Sequence, residues 1–152
     1  MSRAPLSLST AASSGACSNE MTTPPRRLEL TLLPECFAIS RLAPTATIPE
    51  WATHGSFFSI TRTGDELSVV CELAQIPAGV QAQPGWRVFK VHGPFVLTEI
   101  GVLSALASPL AEAKFSLFAI STFDTDYLLV ASETLSAATA ALERAGHKIH
   151  RS

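Results

Sequence analysis

The chain has 152 residues, of which 47% are hydrophobic and 16% charged, and its formal net charge is −2. That length suits one compact domain, or two small subdomains sharing a core, and excludes a large multidomain enzyme. The apolar-rich composition excludes disorder of the whole chain, and with no basic run longer than Arg26-Arg27 the sequence carries no electrostatic footprint for nucleic acid.

The first 26 residues are rich in Ser, Ala, Thr and Pro, poor in acids, and show no apolar period, so a disordered segment is predicted over 1–26. The composition suggests an organelle transit peptide, while "MTTPPRRLEL" from Met21 also reads as a natural beginning with a start-site extension before it; the second reading is favoured. From Leu28 the pattern changes. Leu28, Leu30 and Leu32 alternate with Glu29 and Thr31, the period of a half-buried strand, and Pro34 ends it. "CFAISRL" predicts a second strand and "IPEWA" a short helical turn. "SFFSITRTGDELSVVCEL" predicts a hairpin turning at Thr63-Gly64-Asp65, with Leu67, Val69 and Cys71 on one face. "AQIPAGVQAQPG" holds two prolines and two glycines and reads as a link over 75–85, dividing a subdomain at 27–74 from one at 86–150.

Beyond the link, "WRVFKVHG" predicts a strand, and Thr98 to about Ala113 a helix with Ile100, Leu103, Ala107 and Leu110 on one face, bent by Pro109. "FSLFAI" and "DYLLVA" predict two more strands. Ser132 is placed to N-cap a helix that turns Leu135, Ala138 and Leu142 inward, with Gly146 as its stop. "HKIH" closes the set. The order β-α-β-β-α-β over 86–150 is the split βαβ arrangement of an α+β, ferredoxin-like fold, and the N-terminal half reads as a degenerate version of the same unit.

Chemistry-bearing motifs are few. There is no G-x-S-x-G and no pattern linking the four histidines to a nucleophile, so no catalytic residue is expected. Cys17, Cys36 and Cys71 lie far apart without C-x-x-C spacing, which suits a reducing compartment and argues against a disulfide framework or structural zinc. Cys71, mid-strand on an apolar face, reads as core. His54, His92, His147 and His150 show no metal-ligand spacing and read as surface or strand-end residues, although His147 and His150 sit close enough in a frayed terminus to meet a metal. Neither metal nor cofactor is expected. No apolar run approaches the roughly 18 to 20 residues that span a bilayer, so the expectation is a cytoplasmic protein without a membrane partner.

Two segments stand out. In "VHGPFVLTEIGV" a strand ends at a Gly-Pro turn and a helix begins near Thr98 and Glu99, leaving free N–H groups that attract carboxylates; the plainer reading is that Thr98 N-caps the helix and Glu99 complements its dipole. In "FAISTFDTDYLLV" two apolar runs flank a knot of Ser, Thr and Asp. A βαββ fold brings both segments together, and a ligand with a carboxylate for the helix and an ammonium for Asp126 or Glu99 is an amino acid. Asp124 is assigned to the turn itself.

"WRVFKVHGPFVLTEIGVLSALASPLAEAKFSLFAISTFDTDYLLV" resembles the ACT-domain proteins of the CASTOR type, a likeness extending over roughly Leu28 to Ile149. "FAISTFDTDYLLV" is similar to the family's I-S-T-F/Y-x-x-D-[YH] signature, and "PLAEAKFS" to its P-L-x-x-A-G-[IL]-S, with Lys114 where the family has glycine. The resemblance implies a pair of ACT units that bind an amino acid without catalysis. It places Thr122, Phe123 and Asp126 in the ligand-contacting turn, with Ser121 as a neighbouring candidate, and Thr98, Glu99 and Gly101 in the helix-start loop. Thr125 stands where the arginine sensor of that family has an aromatic residue, so arginine specificity does not carry over. It further implies a homodimer with the ligand between ACT units and a regulated protein partner. The competing expectations are a dimerisation module with a vestigial pocket, and the regulatory part of an amino-acid biosynthetic enzyme.

Overall fold

The computed structural model describes residues 26–96 and 98–152. The disordered segment expected over 1–26 therefore lies outside the described residues apart from Arg26, as do Cys17 and the Met21 start.

Among the described residues, alternation of apolar and polar residues builds eight strands: β1 (Glu29–Leu32), β2 (Phe37–Leu42), β3 (Ser59–Arg62), β4 (Leu67–Glu72), β5 (Ala82–Val91), β6 (Leu117–Ser121), β7 (Asp126–Ala131) and β8 (Lys148–Arg151). Two helices among the described residues join them, α1 (Val102–Glu112) and α2 (Leu135–Arg144). The described residues of the N-terminal half, up to β5, hold only strands and short 3-10 turns such as Glu50–Thr53, so that half is a β unit.

β5, ten residues long, is the axis of a single mixed sheet. Along one edge its beginning pairs with β2 and its end with β1, both antiparallel; along the other it pairs with β7. β4 and β3 extend the sheet beyond β2, and β6 extends it beyond β7. The expected link over 75–85 thus gives its last four residues to a strand. Pro84 and Gly85 are absorbed where the β2–β5 register shifts between Phe37 and Ile39: Gly85 takes φ 86, the conformation a bulge of this kind asks of glycine.

β5-α1-β6-β7-α2-β8 is the predicted βαββαβ order, with one insertion. β8 pairs in parallel with β1, and β1 lies between β8 and β5. The N-terminal strand is therefore part of the C-terminal sheet.

Period-two alternation sends neighbouring residues to opposite faces. On one face Leu30, Phe89, Val91, Leu128 and Val130 pack beneath Leu106 and Leu110 of α1 and Ala138 and Leu142 of α2. On the other, Val88 and Leu129 pack with Phe37, Val70 and Phe57, whose ring lies 4.5 Å from that of Tyr127. Leu67, Val69 and Cys71 form a third cluster with Ala52, as β4's alternation predicts. Each Val, Leu or Phe side chain among these contributes about 1.5–3 kcal/mol on burial. No helix among the described residues is long and apolar enough to cross a membrane.

Both helices differ from expectation at their starts. α1 begins four residues after Thr98 because Gly101, at φ 86, takes the N-cap position without a side-chain cap. Ile100 therefore lies outside the helix and is 89% exposed, and the residues α1 buries are Val102, Leu106 and Leu110 rather than Leu103 and Ala107. Ser132 opens a 3-10 turn over Ser132–Thr134, and α2 follows it, so Ser132 is no N-cap. The C-terminal signals match: Gly146 has φ 95, and the N–H groups of Gly146 and His147 bond back to Glu143 and Leu142, the Schellman pattern. α1 ends the same way with Lys114 at φ 63 in the glycine position.

Candidate functional site

β6 and β7 are the arms of a hairpin whose last pair is Ser121 opposite Asp126. The loop between them is tied by its hydroxyls. Thr122 N–H donates to the Thr125 carbonyl at 2.8 Å, Thr122 Oγ1 donates to the same oxygen at 2.9 Å, and Thr125 N–H donates to Thr122 Oγ1 at 3.2 Å. The Ser121 hydroxyl donates to Oδ1 of Asp126 at 2.5 Å.

This loop docks on the chain leaving β5. The buried Thr125 Oγ1 donates to the Val91 carbonyl at 2.6 Å, and Phe95 N–H donates to the Asp124 carbonyl at 2.7 Å. Gly93 is required at the contact: a Cβ there would stand 2.7 Å from the Asp124 carbonyl oxygen. The Gly93-Pro94 bond is cis.

Between this loop and the start of α1 lies a cavity of about 260 Å3, whose lining includes Glu99, Gly101, Ser121, Thr122, Phe123 and Asp126. Six of the seven residues singled out in the sequence are thus brought together; Thr98 is exposed and outside the lining. Phe123, at the loop tip, is 78% exposed and forms a rim. Asp124 also lines the cavity while its carbonyl serves the docking contact.

Two features set the electrostatics. The first intrahelical bond of α1 runs from Ala105 N–H to the Gly101 carbonyl, so the N–H groups of Val102, Leu103 and Ser104 have no helical partner, and these residues line the cavity. The helix dipole adds positive potential there. Opposite them stands the half-buried Asp126. Glu99, by contrast, forms an ion pair with Arg26, whose guanidinium also lies 5.6 Å from the Phe95 ring centre.

A larger trough of about 430 Å3 runs between β2–β4 and β6. Its charged residues, Arg41 and Glu66, are paired with each other, so it presents no unmatched charge to a ligand.

The histidines part company. His147 is buried, accepting at Nδ1 from Leu28 N–H at 3.2 Å while Nε2 donates to the Ala105 carbonyl at 2.9 Å. His150 turns the other way and gathers with His92 and Glu29 on the open sheet face. Glu29 is held below the usual carboxylate range by the His150 hydrogen bond, with the Lys148 charge adding to it. Spacing gave no signal for this trio, because the three residues come from β1, the end of β5 and β8.

A family model described as an N-terminal domain matches residues 35–79, and the model of the ACT domain matches residues 81–144. Among solved structures, protein Atu0741 from Agrobacterium tumefaciens is 42% identical over 84% of this chain and 95% of its own, with a TM-score of 0.79. A Vibrio cholerae protein of unknown function, VC0802, described as a possible transport protein, is 18% identical over 78% of this chain and 89% of its own, at a TM-score of 0.65. The ligand-free regulatory subunit of aspartate kinase from Thermus thermophilus is 12% identical over 76% and 95% of the two chains, at 0.54. At such identities the last two are likenesses of fold. No curated protein matches the sequence.

Proposed function

The chain belongs to the ACT-domain family, and on that premise we propose that it is a non-catalytic regulatory module of the CASTOR type that binds an amino acid between α1 and the Ser121–Asp126 loop. The observation that carries this reading is the pairing, in one cavity, of the N–H groups of Val102 to Ser104, which have no acceptor within α1, with the Asp126 carboxylate. An amino acid's carboxylate matches the helix end, which carries about half a positive charge. Its ammonium matches Asp126 through a charge-assisted bond. Ser121 occupies only Oδ1 of that carboxylate, and Glu99 is already engaged by Arg26. At about 260 Å3 the cavity falls below the roughly 300–1,000 Å3 of drug-sized pockets, a scale that suits an amino acid. The fold it shares with an aspartate kinase regulatory subunit supports a regulatory role.

The same reading includes a homodimer. β6 is an edge strand with no partner beyond β7 among the described residues, its run "LFAIS" is uncharged, and Phe118 is 47% exposed. Such an edge pairs readily with another chain, and a two-fold copy would bring a second ACT unit beside the cavity. Ligand binding then shifts that interface and the affinity of a regulated protein.

One observation favours a second reading, a dimerisation module with a vestigial pocket: Glu99 and Asp126 both have partners without any ligand. Thermal unfolding of the full chain against each common amino acid at millimolar concentration separates the two. A ligand at about 100 times its Kd adds about 2.7 kcal/mol, and that shift disappears in Asp126→Ala. A folded dimer that responds to none of them sinks the sensor and leaves the interaction module. Co-purification of a biosynthetic enzyme would instead mark the chain as its regulatory subunit.

A further inference from the structure

The sheet face turned away from the helices carries a second group of ligating side chains, sharing no residue with the lining of the α1 cavity. Leu30 and Leu32 commit one phase of β1 to the core, so Glu29 and Thr31 occupy the open face. On β8, Ile149 packs inward and His150 faces out beside Glu29. His92 follows directly on β5, its N–H bonded to the Glu29 carbonyl at 2.8 Å. One ligand atom from each of Glu29, His92 and His150 lies within 4.8 Å of the other two.

We propose that Glu29, His92 and His150 form a binding site for a divalent transition-metal ion of the zinc class. Nε2 of His150 is 2.7 Å from Oε2 of Glu29, and Nδ1 of His92 is 3.9 Å from the same oxygen. Metal–ligand bonds of about 2.0–2.1 Å in a tetrahedron set ligand atoms about 3.3 Å apart. Small rotations of these solvent-facing side chains bring the trio to that spacing.

The surroundings favour it. Thr31 Oγ1 is 2.6 Å from Nε2 of His92, which occupies that nitrogen and leaves Nδ1 turned toward Glu29. An outer hydrogen bond that orients a ligating imidazole is a usual part of such sites. The His92 and His150 rings lie nearly parallel, at 10° and 5.2 Å between centres, so both rings are already aligned beside the carboxylate. Two imidazoles with one carboxylate suit zinc and its neighbours, whereas calcium and magnesium take oxygen donors. Three protein ligands leave a fourth position for water or a small anion. His92 and Thr31 also border a shallow concavity of about 780 Å3 that gives such a ligand room. Lys148, opposite Glu29 in the β1–β8 register, adds a positive charge that limits affinity.

The test is titration of the full chain with Co2+, followed by its visible absorption, and displacement by Zn2+ followed by calorimetry. One equivalent is expected to saturate. His92→Ala and His150→Ala are each expected to weaken binding by more than about ten-fold, the least that losing an outer partner commonly costs, with Thr31→Val near that lower value. Lys148→Gln is expected to tighten it. The changes are on exposed or half-exposed positions, and circular dichroism confirms that each variant is folded. Absence of saturable binding overturns the site, as does binding that survives the His92→Ala/His150→Ala double variant or follows His54 or Cys36.

Discussion

The His147 ring donates from Nε2 to the Ala105 carbonyl at 2.9 Å, the oxygen that Pro109 leaves without a partner. In an α-helix that carbonyl accepts from the N–H four residues on, and proline has none. Nδ1 of the same ring accepts from Leu28 N–H, so one buried imidazole joins the strand entering β1 to α1 from the far end of α2. His147→Ala orphans both groups, each at about 1–3 kcal/mol. Denaturant unfolding is expected to show a loss of about 2–6 kcal/mol. Combining it with Pro109→Ala, which returns an N–H to the Ala105 carbonyl, is expected to recover part of that loss; strictly additive effects would refute the coupling.

Lys114 holds φ 63 at the C′ position of α1, a backbone conformation that costs a side-chain-bearing residue roughly 1–2 kcal/mol. Lys114→Gly removes that cost against the greater freedom of glycine in the unfolded chain. The expected gain is about 0.5–1 kcal/mol in denaturant unfolding. A loss of stability would mean that Lys114 makes a contact worth more than its strain.

Gly93 separates two backbones that meet at the candidate site. In Gly93→Ala the added methyl would stand 2.7 Å from the Asp124 carbonyl and 3.2 Å from Thr125 Cβ. Because one neighbour is backbone, relief means moving the docked loop. A loss of about 1–3 kcal/mol is expected, together with faster hydrogen exchange at Phe95, whose N–H bonds to Asp124. Unchanged protection at Phe95 would show that the loop docks without this close approach.

Cys36 is exposed and Cys71 buried. Burial, with Glu72 adding to it, pushes the Cys71 thiol above its ordinary pKa of 9.0. In a Cys17→Ser background one thiol should react promptly with a disulfide reagent at pH 8, and the second only at the rate of unfolding. A raised pKa means that the folded state holds this proton more tightly. The resulting stabilisation is full below about pH 9 and declines as pH rises past it, so Cys71→Ala should flatten the alkaline arm of a stability–pH curve. Equal reactivity of the two thiols in the native protein would contradict the buried placement.

Local pattern was sufficient for much of this molecule. The Leu28-Leu30-Leu32 alternation, the Thr63-Gly64-Asp65 turn, the Leu67-Val69-Cys71 face and the Gly146 stop depend on residues within a few positions of each other, where a period or a left-handed backbone leaves a direct trace. The same holds for the two segments of the candidate site, since a βαββ order by itself sets the end of β5 and the start of α1 beside the β6–β7 turn. The helix face was misread by one step for an equally local reason: Ile100 and Leu103 continue the period backward, and only the left-handed Gly101 shows where the helix begins.

What the tertiary structure alone decided rests on pairings between distant parts of the chain. β1 lies between β5 and β8, with Glu29 opposite Lys148 and Leu30 opposite Ile149, and no short window of sequence encodes a register across more than a hundred residues. That pairing sends His147 inward to the carbonyl Pro109 left open and turns His150 outward to Glu29 and His92. The sequence determined which residues belong to strands and which faces they bury, because burial follows local alternation; which strands lie side by side followed from fitting those faces into one core, a condition met only by the whole chain.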